Sequence, residues 1–210
     1  MPATTHLQTR RRRNDHMKHG AIVLASASPR RSELMALAGM EFTVVPADIC
    51  EDVLPGEKPS EHVIRLSRGK ADVVAGTTAG RFFIGADTVV VLDDAILGKP
   101  ADDADAFRML TALSGRKHEV ITGFTVFDKI SGIHLSRSVH TEVIFRSLEE
   151  KEIRDYIESG CPMDKAGAYA IQGGAVHFVR SICGSYTNVV GLPMAELYDA
   201  LKTVGALPSA

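Results

Sequence analysis

Phe82-Phe-Ile-Gly-Ala-Asp-Thr-Val-Val-Val-Leu92 is the run that decides the fold. It is apolar on both alternating faces, rich in β-branched and aromatic residues, and stops at the turn Asp93-Asp94. Such a run is a strand over 81–92 buried on both sides, which requires covering layers above and below. One residue breaks it. An ionised carboxylate at Asp87 costs several kcal/mol in a buried strand unless a cation or metal compensates it. Asp87 is therefore either hydrogen-bonded to backbone at a bend beside Gly85, or functional together with Thr88. No neighbour in sequence supplies a partner, although Lys99-Pro100 could do so across a cleft.

Working outward, strands and helices alternate. A short buried strand covers 21–25. Ser28-Pro29 then opens a helix to about 38, with Ser as N-cap and Gly39 as the stop. A strand at 41–45, an acidic loop at 48–58 and a helix over about 60–74 precede the central run. Asp102 or Asp103 caps a helix to 113, and 118–128 with 133–145 form a hairpin. Ser147-Leu-Glu-Glu150 reads as a capping box for a helix to about 158. A Gly- and Ala-rich loop at 164–174, a strand at 175–183 and a helix at 193–204 complete the pattern. The expectation is one α/β domain over 21–210 with a mixed sheet.

Three further segments carry polar residues where the pattern does not ask for them. In Ser26-Ala-Ser-Pro-Arg-Arg31, two arginines occupy the second and third positions of a helix. Cations there oppose the helix dipole at ~0.3–1 kcal/mol each. A bound anion would explain them, cradled by helix N–H groups, both guanidinium groups and the Ser26 hydroxyl; a solvated basic turn is the alternative. Lys70 falls inside the apolar stripe set by Val63, Leu66, Val73 and Val74, so it either snorkels at an edge or reaches an anion. Glu61, Arg65, Arg68 and Asp72 fall on the opposite face. Asp164-Lys-Ala-Gly-Ala-Tyr-Ala-Ile-Gln172 suits a loop that closes on a ligand through Asp164, Lys165 and Gln172, or a flexible surface loop. Glu51 and Asp52, in the acidic loop, add oxygen donors for a hard cation or are simply solvated. Together these groups suit a polyphosphate bound with Mg²⁺ or Mn²⁺.

Other classes are disfavoured. No Walker G-x-x-x-x-G-K-[ST], G-x-S-x-G or H-E-x-x-H occurs. Aromatic residues make up 6% with no Trp, too few for single-strand stacking platforms. Cys50, Cys161 and Cys183 form no C-x-x-C pair, so a reducing cytoplasm is expected rather than a disulfide framework. No apolar run approaches the ~20 residues that span a bilayer, so no membrane is expected. Residues 1–20 carry +4 against −2 for the whole chain, leaving −6 on the rest. This basic arm reads as a disordered lead-in, and Met17 offers a second start. An arm that touches nucleic acid is the rival, disfavoured by the acidic body.

The chain resembles the Maf-type nucleoside triphosphate pyrophosphatases. The matching stretches are Leu24-Ala-Ser-Ala-Ser-Pro-Arg-Arg31, Gly85-Ala-Asp-Thr-Val-Val90, Gly98-Lys-Pro100, Leu113-Ser-Gly115, Asp164-Lys-Ala-Gly-Ala-Tyr169, Ile171-Gln-Gly173 and Gly184-Ser-Tyr, then Asn188-Val-Val-Gly-Leu-Pro193. Gly174-Ala-Val176 departs from the Leu-Gly-Gly-like run frequent there. The resemblance implies a central mixed sheet with flanking helices, two lobes around a deep cleft, often a homodimer, and hydrolysis between the α and β phosphates of a nucleoside triphosphate. It implies Asp87 as catalytic base, and Ser26, Arg30, Arg31, Glu51, Lys70, Lys99, Asp164 and Lys165 around the phosphates. Glu51 and Asp87 would hold Mg²⁺ or Mn²⁺. Arg30-Arg31, Asp87-Thr88 and Gln172 stand where the branch resembling 7-methyl-GTP pyrophosphatases has Trp-Arg, Asp-Gln and Glu. The chain therefore resembles the dTTP/UTP branch, with Arg30, Thr88 and Gln172 governing base choice. The alternative is a nucleotide-binding regulator of cell division without significant turnover.

Overall fold

The computed structural model describes residues 21–208; the basic arm lies outside the described residues. The order is β1 (Ile22–Ala25), α1 (Pro29–Leu37), β2 (Thr43–Val44), α2 (Pro59–Thr77), β3 (Phe82–Leu92), β4 (Ala95–Leu97), α3 (Asp103–Leu113), β5 (Lys117–Asp128), β6 (Ile133–Phe145), α4 (Glu150–Glu158), a 3₁₀ turn (Ala166–Ala168), β7 (Val179–Cys183), α5 (Tyr186–Val190) and α6 (Met194–Thr203). The strands form one mixed sheet in the order β2-β1-β3-β5-β6-β7, with β4 paired to β3. β1 runs parallel to both β2 and β3, and the remaining pairs are antiparallel. No described helix is long and apolar enough to cross a membrane.

β3 is buried along its length, as its composition requires. Phe82, Ile84, Ala86, Val90 and Leu92 join the large core with residues of α1, α3, α4 and α6. Phe83, Val89 and Val91 face the other way, Phe83 packing with Ala71, Val74 and Ala75 of α2 and the two valines with Val63. One helix thus covers one face and several cover the other. α2 lies unusually close to the sheet because two glycines stand beneath it. A Cβ on Gly85 would come within 1.9 Å of the Ser67 carbonyl oxygen, and one on Gly123 within 2.5 Å of Val63 backbone. Gly85 therefore serves close approach rather than a bend.

The pairing of β3 leaves one gap. Along one edge, β1 pairs with residues 82–85 and β4 with residues 90–92. Residues 86–89 have no strand beside them on that edge, because the chain leaves β1 for the Ser26 turn. Asp87 and Thr88 lie in this opening.

The remaining elements follow the sequence pattern with differences. Asp102 caps α3 through its carboxylate, which accepts the Asp105 N–H at 2.8 Å. Ser28 holds the N-cap position of α1 without a side-chain cap bond; its N–H instead donates to Ser26 Oγ at 3.2 Å. The capping box before α4 lies two residues later than Ser147 and Glu150. The Glu152 carboxylate accepts the Glu149 N–H at 2.9 Å, while Leu148 N–H donates to Ser114 Oγ at 2.8 Å. Residues 175–178 form turns rather than strand, with Phe178 N–H bonded to the Ala175 carbonyl. Val73, placed in the apolar stripe, is 45% exposed. β4, the 3₁₀ turn and α5 are too short to announce themselves by periodicity.

Candidate active site

All twelve residues singled out from the sequence line one cleft of about 530 Å³: Ser26, Arg30, Arg31, Glu51, Asp52, Lys70, Asp87, Thr88, Lys99, Asp164, Lys165 and Gln172. That volume is in the usual range for small-molecule sites. The cleft opens over the gap in β3, and strand alternation distributes its chemistry. Asp87 points to the α2 face and Thr88 to the opposite face.

On the α2 face, Asp87 Oδ1 accepts from Lys70 Nζ at 2.8 Å, and Glu51 Oε1 lies 2.5 Å from the same ammonium. Lys70 is buried, so it reaches anions rather than snorkelling. Lys99 approaches Glu51 at 3.6 Å from the loop after β4. Burial pushes the Glu51 carboxyl up, but the Lys70 hydrogen bond and charge, with Lys99, outweigh it and hold the group below its ordinary value. Asp87 Oδ2 has no hydrogen bond to a described residue, which leaves it for water or a ligand.

On the opposite face, Arg31 is buried and tied to protein acceptors. Its Nε donates to the Gly191 carbonyl at 2.8 Å, Nη1 to Ser26 Oγ at 3.0 Å and Nη2 to Thr88 Oγ1 at 3.1 Å. Desolvation draws its pKa below the ordinary value, against the attraction of Asp87. Thr88 Oγ1 also meets Thr122 Oγ1 at 2.9 Å, and Thr122 donates to the Asn188 carbonyl at 3.1 Å. The next-door Arg30 is half-buried and makes no hydrogen bond or ion pair with a described residue. The two arginines are thus different tools: Arg31 braces the turn, whereas Arg30 has its donors available.

The rim is the 164–172 loop. Lys165 pairs with Asp164 and donates to the Cys161 carbonyl at 2.6 Å. The Lys165 hydrogen bond holds Asp164 below the ordinary carboxyl range despite burial. Gly167, at φ +66°, donates its N–H to the Gly98 carbonyl at 3.0 Å and passes so close to Val90 that a Cβ would clash at 2.9 Å. Only glycine fits that conformation and that approach. The contact fixes this loop beside Lys99. Tyr169 anchors the loop from below through a 2.8 Å hydrogen bond to His118. Burial pulls His118 down to about 4, so it is neutral at physiological pH. Gln172 is exposed at the mouth of the cleft.

Several contributors are not legible in the local pattern. Thr122, Asn188 and Gly191 enter as a brace behind Thr88 and Arg31; only their place in matching stretches hinted at Asn188 and Gly191. Arg65, which the helical wheel puts on the outer face, is half-buried against Glu57 at 2.6 Å. That hydrogen bond holds the Glu57 carboxyl down at about 2, so it is ionised at any ordinary pH. The nearby Glu57 was the available signal.

Glu51 and Asp87 present hard carboxylate oxygens around one cation, the donor class Mg²⁺ and Mn²⁺ take together with substrate phosphates and water. Among the described residues no group of three or more His, Cys, Asp or Glu could hold a metal ion. A divalent ion there would have to take the rest of its shell from water and substrate phosphates, the habit of Mg²⁺.

A family model described as Maf-like protein matches residues 21–204. A relative described as dTTP/UTP pyrophosphatase from Geobacter sp. (strain M21) is 60% identical over 191 residues, covering 91% of this chain and 99% of its own. One of the same description from Citrifermentans bemidjiense is 59% identical over 191 residues, with the same coverage. Another from Syntrophus aciditrophicus is 46% identical over 186 residues, covering 89% of this chain and 91% of its own.

Proposed function

This chain belongs to the Maf-like protein family, and from that premise we propose that it is a nucleoside triphosphate pyrophosphatase that hydrolyses dTTP and UTP to the monophosphate and pyrophosphate. The observation that carries the reading is the meeting of Asp87, Lys70 and Glu51 at the gap in β3, with Asp87 Oδ2 unclaimed by any described residue.

Asp87 takes a proton from the water that attacks the α-phosphorus. The bond from that phosphorus to the bridging oxygen breaks, and pyrophosphate leaves with the electron pair. Lys70 and Lys99 neutralise the charge that builds on the leaving group. Lys165 extends the cationic rim, with Asp164 holding it in place. Arg31 keeps the Ser26 turn in the shape that presents its N–H groups and hydroxyl to phosphate. Glu51 and Asp87 would hold a divalent ion, which when bound polarises phosphate oxygens and water.

Base choice falls to the groups at the mouth and at the Arg31 brace. Every triphosphate offers the same phosphates, so Lys70 and Lys99 bring affinity without discrimination. The uracil or thymine edge presents O–NH–O, and the Gln172 amide can both donate and accept. Arg30 can donate to a carbonyl oxygen. Thr88, whose hydroxyl is engaged by Arg31, acts on specificity by setting where the brace sits.

Two outcomes test this. Pyrophosphate, not orthophosphate, is the expected first product from UTP and dTTP, and EDTA is expected to stop the reaction. Orthophosphate as first product, or full rate in chelator, would overturn the reading; binding of UTP with no product would instead favour the regulator. Gln172→Glu is expected to lower kcat/KM for UTP and dTTP selectively, by roughly tenfold to a hundredfold, the cost of ~1–3 kcal/mol for an unpaired polar group. An equal loss for UTP, dTTP, CTP and GTP would remove Gln172 from the base pocket.

A further inference from the structure

Residues 46–58, which carry Glu51, contain no helix or strand, yet Glu51 has to meet Lys70 in one place. Two of the side chains that hold this segment, Glu57 and Arg65, lie outside the cleft. The Glu57 side chain is only 8% exposed. Its carboxylate accepts from Arg65 Nε at 2.6 Å and Nη2 at 2.8 Å, and from the Leu54 N–H at 3.2 Å. It also shares a 3.0 Å hydrogen bond with His62 Nδ1. Arg65 Nη2 reaches further along the segment and donates to the Asp52 carbonyl at 2.9 Å. His62, Arg65 and Lys70 all stand on α2. One helix therefore grips the segment at Asp52 and Glu57, with Leu54 tied to Glu57 within the segment, and supplies the ammonium that Glu51, one residue before Asp52, must meet. Neither Glu57 nor Arg65 lines the cleft.

We propose that Glu57 and Arg65 are positioning residues: clamped to each other, they fix the backbone of 51–57 on α2 and set the Glu51 carboxylate beside Lys70. This rests on the reading of Glu51 as a carboxylate of the metal and phosphate site. A planar guanidinium is needed because one group must serve both a carboxylate fork and a carbonyl, which a single ammonium cannot do in the same geometry. Without the clamp, each freed residue regains backbone conformations, and Glu51 samples positions away from the cleft.

The test uses the full chain with Glu57→Gln and Arg65→Gln combined, so that no charge is left buried alone, together with Glu51→Gln and the triple variant. Arg65→Lys serves as a milder second probe, since it keeps the charge opposite Glu57 and loses the reach to Asp52. Three readouts are taken: amide hydrogen exchange, the Mn²⁺ dissociation constant by calorimetry with a non-hydrolysable UTP analogue, and kcat for UTP. The paired variant is expected to exchange the 51–57 amides faster with α2 protection unchanged. Mn²⁺ affinity is expected to fall by roughly 10- to 100-fold, the range for losing groups that orient a metal ligand. Added to Glu51→Gln, the pair is expected to cost almost nothing further, and Arg65→Lys should shift exchange and affinity in the same direction by less. Unchanged exchange at 51–57, or a loss that multiplies in full with that of Glu51→Gln, would overturn the clamp. Wild-type Mn²⁺ affinity and turnover in Glu51→Gln itself would remove the reading of Glu51, and the clamp's purpose with it.

Discussion

Asp87→Asn is expected to lower kcat for UTP by about 10²-fold or more, the usual range for loss of a general base, while the protein stays folded. The amide has the shape of the carboxylate and its oxygen can still accept from Lys70, the 2.8 Å bond of the native site. What it loses is basicity at the second oxygen, the one that no described residue claims. The residue lies mid-strand between Ala86 and Thr88, with β5 paired along the other edge, so no neighbouring carboxylate can swing into its place. Glu51 is the nearest substitute and is already engaged by Lys70 and Lys99. Lys70 and Lys99 remain to grip the phosphates, but Asp87 is also read as a donor to the divalent ion, so the rates are compared at saturating UTP and metal. Pyrophosphate release under saturating UTP measures the effect, with a thermal melt as control. Turnover within a few-fold of the parent would move the base elsewhere.

Lys70→Met is expected to damage both stability and turnover. The thioether fills much of the same space, but two carboxylates are then left around an empty centre. Breaking a buried pair by removing one partner costs about 3–5 kcal/mol. The lower end applies here because Glu51 is 44% exposed and can turn to water, whereas Asp87 cannot. Loss of a preorganised cation at the leaving group should reduce kcat/KM by roughly 10²–10³-fold. Urea unfolding at neutral pH reads the first effect and initial rates on UTP the second. The double variant Lys70→Met with Asp87→Asn separates them: stability should recover in part, since the uncompensated charge has gone, while activity should stay lost. A double variant no more stable than Lys70→Met alone would mean that packing, not charge, explains the Lys70 effect.

Much of the architecture was legible because it is written in short-range periodicity. The apolar run at β3, the hairpin of β5 and β6, and the helices α1, α2, α3, α4 and α6 each carry their own pattern. Polar residues that violate those patterns marked the site: Asp87 in a buried strand, Lys70 in an apolar stripe, and two arginines at a helix start. The four-residue β1 was found from its unbroken apolar run, but β4, the 3₁₀ turn and α5 were missed and β7 was begun four residues too early, since windows that short contain no period. The start of α4 was misread by two residues because Glu149 and Glu152 carry the same spacing as Ser147 and Glu150, and the structure uses the later pair.

The sequence by itself determined which side chains would be out of place in their elements, and therefore which would need partners. It did not determine who the partners are. Alternation along β3 separates Asp87 from Thr88, but only the packing of α2 on Gly85 and Gly123 brings Lys70 to the aspartate. Adjacent arginines with the same local signal receive opposite employment because the Gly191 carbonyl, 160 residues on, claims Arg31 and not Arg30. Arg65, assigned to solvent by its place on the wheel, is held instead by a carboxylate eight residues earlier that folds back from the loop. Local pattern reports the cost of burying a charge; only the closed chain decides which distant group offsets that cost, because hydrogen bonds act over about 3 Å and take no account of separation along the chain.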